Sequence, residues 1–380
     1  MPVARVFKPF QRFIQLESAS GLLLFFAALT GLAFANSPLS ETYASLKSVS
    51  LPAINDGLMA VFFLLVGLEI KREMWNGELA SFRRSAMPFA AALGGMLLPA
   101  VFYSLFNRNH LSAPGWGIPM ATDIAFALGA LMVLGKRIPP GLKIFLVALA
   151  IIDDLGAILV IALFYTQTLH WGALALSGAC LAALFMLNFF GVRRLLPYLA
   201  AGALSWFALL HSGVHATLAG VALAFFIPMT ADGAEENSLQ FLERKLHPWV
   251  GFGILPIFAL VNAGVALNPQ TRNLLAEPVG LGILAGLCLG KPLGISLFSW
   301  IAARMGFGEL PTGVRWRHLL GAGMLGGIGF TMSLFIADLG LPEERLLDGA
   351  KLAVLCASVI SGMIGIVYLA WMGREKPAKS

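Results

Sequence analysis

With 58% hydrophobic and only 12% charged residues over 380 positions, the chain is too apolar for a soluble domain, where about a quarter of residues are charged. A pI of 9.4 suggests nucleic acid in a soluble protein; with a mean hydropathy of +0.82 it fits the basic inner loops of a polytopic membrane protein instead. Cys180, Cys288 and Cys356 are odd in number and sit in apolar stretches, so they read as small buried thiols, neither a disulfide framework nor a metal site.

The apolar segments run near Ser20–Ala35, Leu51–Ile70, Ala86–Phe106, Trp116–Leu134, Gly141–Tyr165, Gly172–Phe190, Leu195–Leu210, Val214–Pro228, Val250–Leu267, Val279–Ala302, Leu319–Ala337 and Leu352–Met372. Hydropathy therefore predicts an all-α polytopic membrane protein of about twelve transmembrane helices. The basic residues divide accordingly. Most Lys and Arg fall in alternate loops, at Arg5/Lys8/Arg12, Lys71/Arg72/Arg83/Arg84, Lys136/Arg137/Lys143, Arg193/Arg194, Arg244/Lys245, Arg304/Arg315/Arg317 and Arg374/Lys376/Lys379. That bias fits cytoplasmic N- and C-termini. Lys47, Arg108, Arg272, Arg345 and Lys351 fall on or near the other side.

The first segment has two readings. Its basic start, short apolar run and Ala33-Phe-Ala35 resemble a signal peptide, but an uncleaved helix is favoured. No low-complexity linker divides residues 1–380, which read as one integral-membrane domain. The longest polar stretch, Thr230–His247, is expected to be a short loop or a surface helix.

Ionisable residues within spans are few: Asp56, Asp123, Asp153, Asp154 and Lys291, with Glu69 at a helix end. A carboxylate at mid-membrane costs roughly 2.5–3.5 kcal/mol on translocon scales, so each of these marks a functional site by default. Asp153 and Asp154 point about 100° apart around a helix and cannot share one role. Lys291 is read as the only buried cation, answering one of the carboxylates. A purely structural ion pair is the alternative.

Two spans look interrupted. Pro119-Met-Ala-Thr-Asp123 breaks the fourth, and Gly323-Met-Leu-Gly-Gly-Ile-Gly-Phe-Thr-Met-Ser333 the eleventh. Unwound backbone at membrane depth survives only where it is buried in protein or lines a cavity. Glycine packing between helices is the plainer explanation. The fourth and eleventh spans cross in opposite directions, however, and interrupted helices at corresponding places of inverted-topology repeats point to a transporter site at the midplane.

These residues carry a family resemblance. Ala121-Thr-Asp-Ile-Ala-Phe-Ala-Leu-Gly129, Ala150-Ile-Ile-Asp-Asp-Leu-Gly-Ala157, Ser212-Gly-Val-His-Ala-Thr-Leu-Ala-Gly220, Gly290-Lys-Pro-Leu-Gly294 and Gly329-Phe-Thr-Met-Ser333 resemble the NhaA-type sodium/proton antiporters. The match runs in order from about Ile54 to the last helix. It implies no enzyme activity and no resident cofactor. It implies electrogenic export of Na⁺ or Li⁺ against a larger number of incoming H⁺, regulated by pH, in the lipid of a bacterial inner membrane.

By the same resemblance, Asp154 is the carboxylate that binds cation and proton in turn. Asp153 is its neighbour, paired with Lys291. Thr122 and Asp123 lie where the broken helices cross; Asp123 offsets positive half-helix ends and Lys291 negative ones. Glu69, Glu73, Glu243, His247 and His215 match residues linked to the pH response. Three departures stand out. Arg244 replaces the histidine after the Glu243 position, and the stretch from Thr230 to Leu242 is acidic, with Glu235 and Glu236, where relatives are basic. The fixed positive charge of Arg244 favours charged carboxylates and implies activation at lower pH than in histidine-bearing relatives, while Glu235 and Glu236 oppose it. Asn36–Pro52 is also shorter than the β-hairpin region of relatives, which puts a homodimer contact there in doubt.

Charge exclusion supplies the expected mechanism: a carboxylate holding a proton cannot hold Na⁺. An ordinary aspartate has a pKa near 3.9, so proton loading in the cytoplasm requires burial or a like charge to raise it. Na⁺ is hard and favours oxygen, which suits the carboxylates and Thr122. Rocking of one repeat against the other would then expose the loaded site to each side. A passive cation channel is the alternative. An intramembrane aspartyl protease is disfavoured, since the chain lacks a Gly-x-Gly-Asp element.

Overall fold

The computed structural model describes residues 3–166, 168–229 and 237–372, with side chains from Ala19 onward except at 78, 82–84 and 136. The basic residues Arg5, Lys8, Arg12, Arg83, Arg84, Lys136, Arg374, Lys376 and Lys379, and the acidic pair Glu235 and Glu236, fall outside those described side chains. Every regular element among the described residues is helical. A backbone in lipid must satisfy its polar groups within the segment, and the helix does so.

Among the described residues, seven helices are long and apolar enough to cross a membrane: Ser40–Asn76, Ser85–Asn107, Ala113–Val133, Pro140–Phe164, Trp171–Phe189, Pro278–Arg304 and Glu344–Met372. The pair Trp316–Gly326 and Phe330–Gly340, bent by 49° at its break, makes an eighth. Ala19–Ala35 and Leu195–Leu210 are shorter apolar helices. Reaching twelve requires counting these, together with Leu218–Phe226 and Leu255–Asn262. The region from Asn36 to Pro52 is helical from Ser40.

The chain divides into two compact units. The first comprises Met1–Ser40, Ser81–Ala157 and Ala259–Ser380. Here the first helix belongs to the bundle: a side chain at Gly21 would meet the Ala125 carbonyl, and one at Gly31 the backbone of Leu260. Asn36 closes the turn after it, donating through Nδ2 to Val265 O (2.8 Å) and accepting at Oδ1 from Leu267 N (2.6 Å). Helices Phe82–Asn107 and Lys291–Arg304 touch backbone to backbone. A Cβ on Gly94 would land on the Gly294 carbonyl, and one on Gly294 on the Gly94 carbonyl. That approach, available only to glycine pairs, fixes the start of the second helix, where Lys291 sits directly after a π-helical turn at Gly286–Gly290.

The second unit comprises Glu41–Ala80 and Ile158–Phe258. Its core gathers Leu64, Leu68, Leu184, Tyr198, Leu223, Ile227, Leu239 and Leu242. Helix Ser238–Trp249 turns Leu239, Leu242, Glu243 and Leu246 to one side, an i, i+3, i+4, i+7 stripe. Asn237 caps it, with Oδ1 accepting from Gln240 N at 2.8 Å. Thr230–His247 is therefore a surface helix over its described part.

One expectation fails in both units, because Lys291 is not the only buried cation. Lys71 is 6% exposed, with Nζ donating to Phe225 O (2.7 Å) and Ile227 O (2.6 Å). It satisfies carbonyls left open at the end of helix Leu218–Phe226, where the macrodipole also favours a cation. Lys351 is 1% exposed and pairs with Asp338, an acid absent from the expected intramembrane set.

Candidate functional site: a buried ion pair beside two crossing broken helices

All of the expected transport-site residues lie in the first unit. Asp153 and Asp154 occupy the middle of Pro140–Phe164 and are 0% and 3% exposed. Lys291 is fully buried and its Nζ donates to Asp153 Oδ2. Thr122 Oγ1 lies 2.7 Å from that same oxygen and 2.9 Å from Gly326 O. Asp153 Oδ1 is also buried and accepts no hydrogen bond among the described residues. Asp154 follows about 100° around the helix, so its carboxylate points in another direction from that of Asp153.

Thr122 is positioned by the broken span. Helix Ala113–Met120 ends at Ala121 in extended backbone, and Ile124–Val133 starts after Asp123. In the other broken span Trp316–Gly326 stops, and Phe330–Gly340 begins after Gly329. The two breaks meet: Asp123 N donates to Ile328 O at 2.7 Å. Side chains satisfy the other freed backbone groups. Ser333 Oγ donates to Ile118 O (2.7 Å), and Ser358 Oγ accepts from Phe330 N (3.2 Å). Breaks at this depth persist because such partners replace the missing helical bonds.

Asp123 is the common cap of both second halves. Its Oδ1 accepts from Phe126 N (3.1 Å); its Oδ2 accepts from Thr331 N (3.1 Å) and from Thr331 Oγ1. Two helix N-termini, each carrying partial positive charge, thus share one carboxylate. The described contact of Lys291 is to Asp153. Thr331 and Arg72 are the residues that sequence reasoning missed. Thr331 was visible inside Gly329-Phe-Thr-Met-Ser333 but carried no charge to single it out.

The residues expected to answer to pH lie in the second unit, and Glu69, Glu73 and Glu243 gather around Arg72. Its Nη1 donates to Glu243 Oε1 and its Nη2 lies 3.0 Å from Glu73 Oε1, while Glu69 acts on it electrostatically. Glu243 is 7% exposed, and burial raises its carboxyl pKa against the opposing pull of Arg72 and of His247. His215 has other partners: Nε2 lies 3.0 Å from Tyr165 O, and Asp56 is its electrostatic neighbour. Arg72 had looked like an interfacial anchor, because a basic residue at a helix end gives no local signal of a carboxylate ring.

No three His, Cys, Asp or Glu side chains converge as a metal-holding group among the described residues. A cation held near Asp153 would therefore rely on one or two carboxylates supplemented by hydroxyl and carbonyl oxygens.

The model of the family "Na+/H+ antiporter 1" matches residues 11–369. A relative from Pseudomonas syringae pv. syringae, "Na(+)/H(+) antiporter NhaA 2", is 53% identical, with 94% of each chain covered. "Na(+)/H(+) antiporter NhaA" from Vibrio alginolyticus is 50% identical over 94% of this chain and 96% of its own. The protein of that name from Pseudomonas fluorescens is 48% identical, covering 97% and 98%. With a family match over nearly its whole length and such relatives on every side of it, this multi-pass membrane chain belongs to the Na+/H+ antiporter 1 family.

Proposed function

We propose that this antiporter expels Na⁺ or Li⁺ from the cytoplasm in exchange for a larger number of protons, with Asp154 and Asp153 as the groups that bind cation and proton. The observation that carries the reading is the contact of buried Lys291 with buried Asp153, one residue before Asp154 and bonded to Thr122 at the helix break. Protonating Asp153, or placing a cation beside it, takes from the buried Lys291 ammonium its counter-charge, so the state of the pair is coupled to what the site holds.

Asp123 holds both half-helices in place, and its own charge is engaged by their N-termini. Glu69, Glu73, Glu243 and His247 form the pH-responsive group around Arg72. The basic-loop bias supports an inner-membrane location with both termini in the cytoplasm.

The test is ²²Na⁺ flux in proteoliposomes holding the full chain. Uptake driven by an imposed pH gradient, and abolished by collapsing it, is the expected result. Flux indifferent to the proton gradient would mark a channel and overturn the reading.

A further inference from the structure

The transport chemistry above leaves one buried ion pair unused. Lys351, in the second turn of Glu344–Met372, places Nζ 2.8 Å from Asp338 Oδ1 and donates to Asn262 Oδ1 at 3.3 Å. Lys351 is 1% exposed and the Asp338 side chain 8%. Three helices meet at this point: Leu255–Asn262, Phe330–Gly340 and Glu344–Met372. Asp338 lies in the last turn of Phe330–Gly340, where the helix dipole already presents negative charge. The lysine offsets both.

The opposite end of that same half-helix is held with reversed polarity. There the Asp123 carboxylate accepts from Thr331 N and Oγ1. Thr331 and Asp338 are almost two turns apart, so they share a helix face at a spacing of about 10 Å. An 11-residue rod is thus pinned by an anion at its start and by a cation at its end.

We propose that Lys351, with Asp338 and Asn262, is a positioning group for the transport site. It fixes the far end of the half-helix whose near end sets Thr331 against Asp123, and so sets the affinity for Na⁺. The inference rests on the site assignment made above. Without Lys351, Asp338 faces the negative helix end uncompensated and is driven toward water. A short rigid helix carries that displacement to Thr331 and hence to the helix crossing.

The experiment measures Na⁺-dependent proton flux against Na⁺ concentration, with the full chain in proteoliposomes. Lys351→Met is expected to raise the KM for Na⁺ about tenfold with maximal rate within about twofold, the size of effect that coupling residues outside a site produce. Lys351→Arg, which keeps the charge, should return KM to within about threefold of wild type. An unchanged KM in Lys351→Met, or a fall in maximal rate alone, overturns the proposal, because a merely structural lysine changes the amount of active protein and not its affinity. If Lys351→Met does not insert, Asn262→Leu loosens the same anchor and should raise KM about threefold; no change there is equally fatal. The two readings fail separately. Wild-type protein without Na⁺-coupled flux refutes the site assignment, whereas active wild type with indifferent variants refutes only the anchor.

Discussion

Lys291 donates a hydrogen bond from its ammonium to Asp153 where neither side chain has any exposure. Such a pair is weak evidence for stability, since removing two charges from water costs about as much as their attraction returns. Its asymmetry is more informative: the pair as a whole is nearly neutral in free energy, but half of it is very costly.

Lys291→Ala should therefore destabilise the protein by roughly 3–5 kcal/mol, by stranding Asp153. Thermal unfolding in detergent reads this directly. Adding Asp153→Asn to the same variant should recover much of the loss. A melting temperature unmoved by Lys291→Ala would mean that Asp153 is neutral in the resting protein.

Asp154→Asn should abolish exchange, because an amide neither releases a proton nor offers Na⁺ a full negative charge. Full-rate exchange by a correctly inserted variant would sink the assignment. Asp153→Asn should impair transport strongly while altering the number of protons carried per cation, which the reversal potential in proteoliposomes reports.

Asp123 caps two helices at once, and a lost cap costs about 1 kcal/mol. Asp123→Ala should then cost about 2 kcal/mol, while Asp123→Asn, with one accepting oxygen, should cost about half of that. Both are checked by denaturation in detergent. Equal losses in the two variants would show that the carboxylate charge matters more than the caps.

Glu243 supplies the pH prediction. Its raised pKa means that the folded protein holds this proton more tightly than the unfolded chain. The stability it adds is full below the unfolded value and is lost as pH rises through the folded one. Glu243→Gln mimics the protonated carboxyl permanently, so it should flatten the dependence of melting temperature on pH across that interval. If deprotonation here activates transport, it should also move the activity–pH curve to higher pH. Arg244→His should move the curve the same way but by less, since Arg244 is exposed and solvent screens its charge from Glu243. A curve unmoved in both variants separates this cluster from pH control.

The candidate site was legible because lipid punishes charge: Asp153, Asp154 and Lys291 stand out from the apolar residues around them. The helix breaks were legible from Pro119 and the glycines of 323–329 for a related reason, as both disturb a helix without tertiary help. What could not be read was depth near helix ends. Asp338 and Lys351 each fell one residue outside the expected spans, yet both are buried, because burial there depends on which helix end packs beside them. Lys71 and Arg72 looked alike as inner-face anchors. One caps a helix and the other gathers carboxylates, a difference that only the fold creates. The count of twelve met the same obstacle, since several apolar helices are shorter than a bilayer.

Thr122 lies within bonding distance of two acceptors, Asp153 Oδ2 and Gly326 O, yet a hydroxyl has one proton to give. When the proton points to the carboxylate, the oxygen lone pairs face away from Asp153. When it points to Gly326, those lone pairs turn toward Asp153, and two negative oxygen surfaces confront each other with nothing between them. At 2.7 Å the gap is too narrow for a cation, so that second setting is unfavourable while Asp153 is charged and favourable once Asp153 carries a proton to place there. Rotation about a single C–O bond would then carry the charge of Asp153 to the backbone of the other broken span, through the Thr122–Gly326 contact.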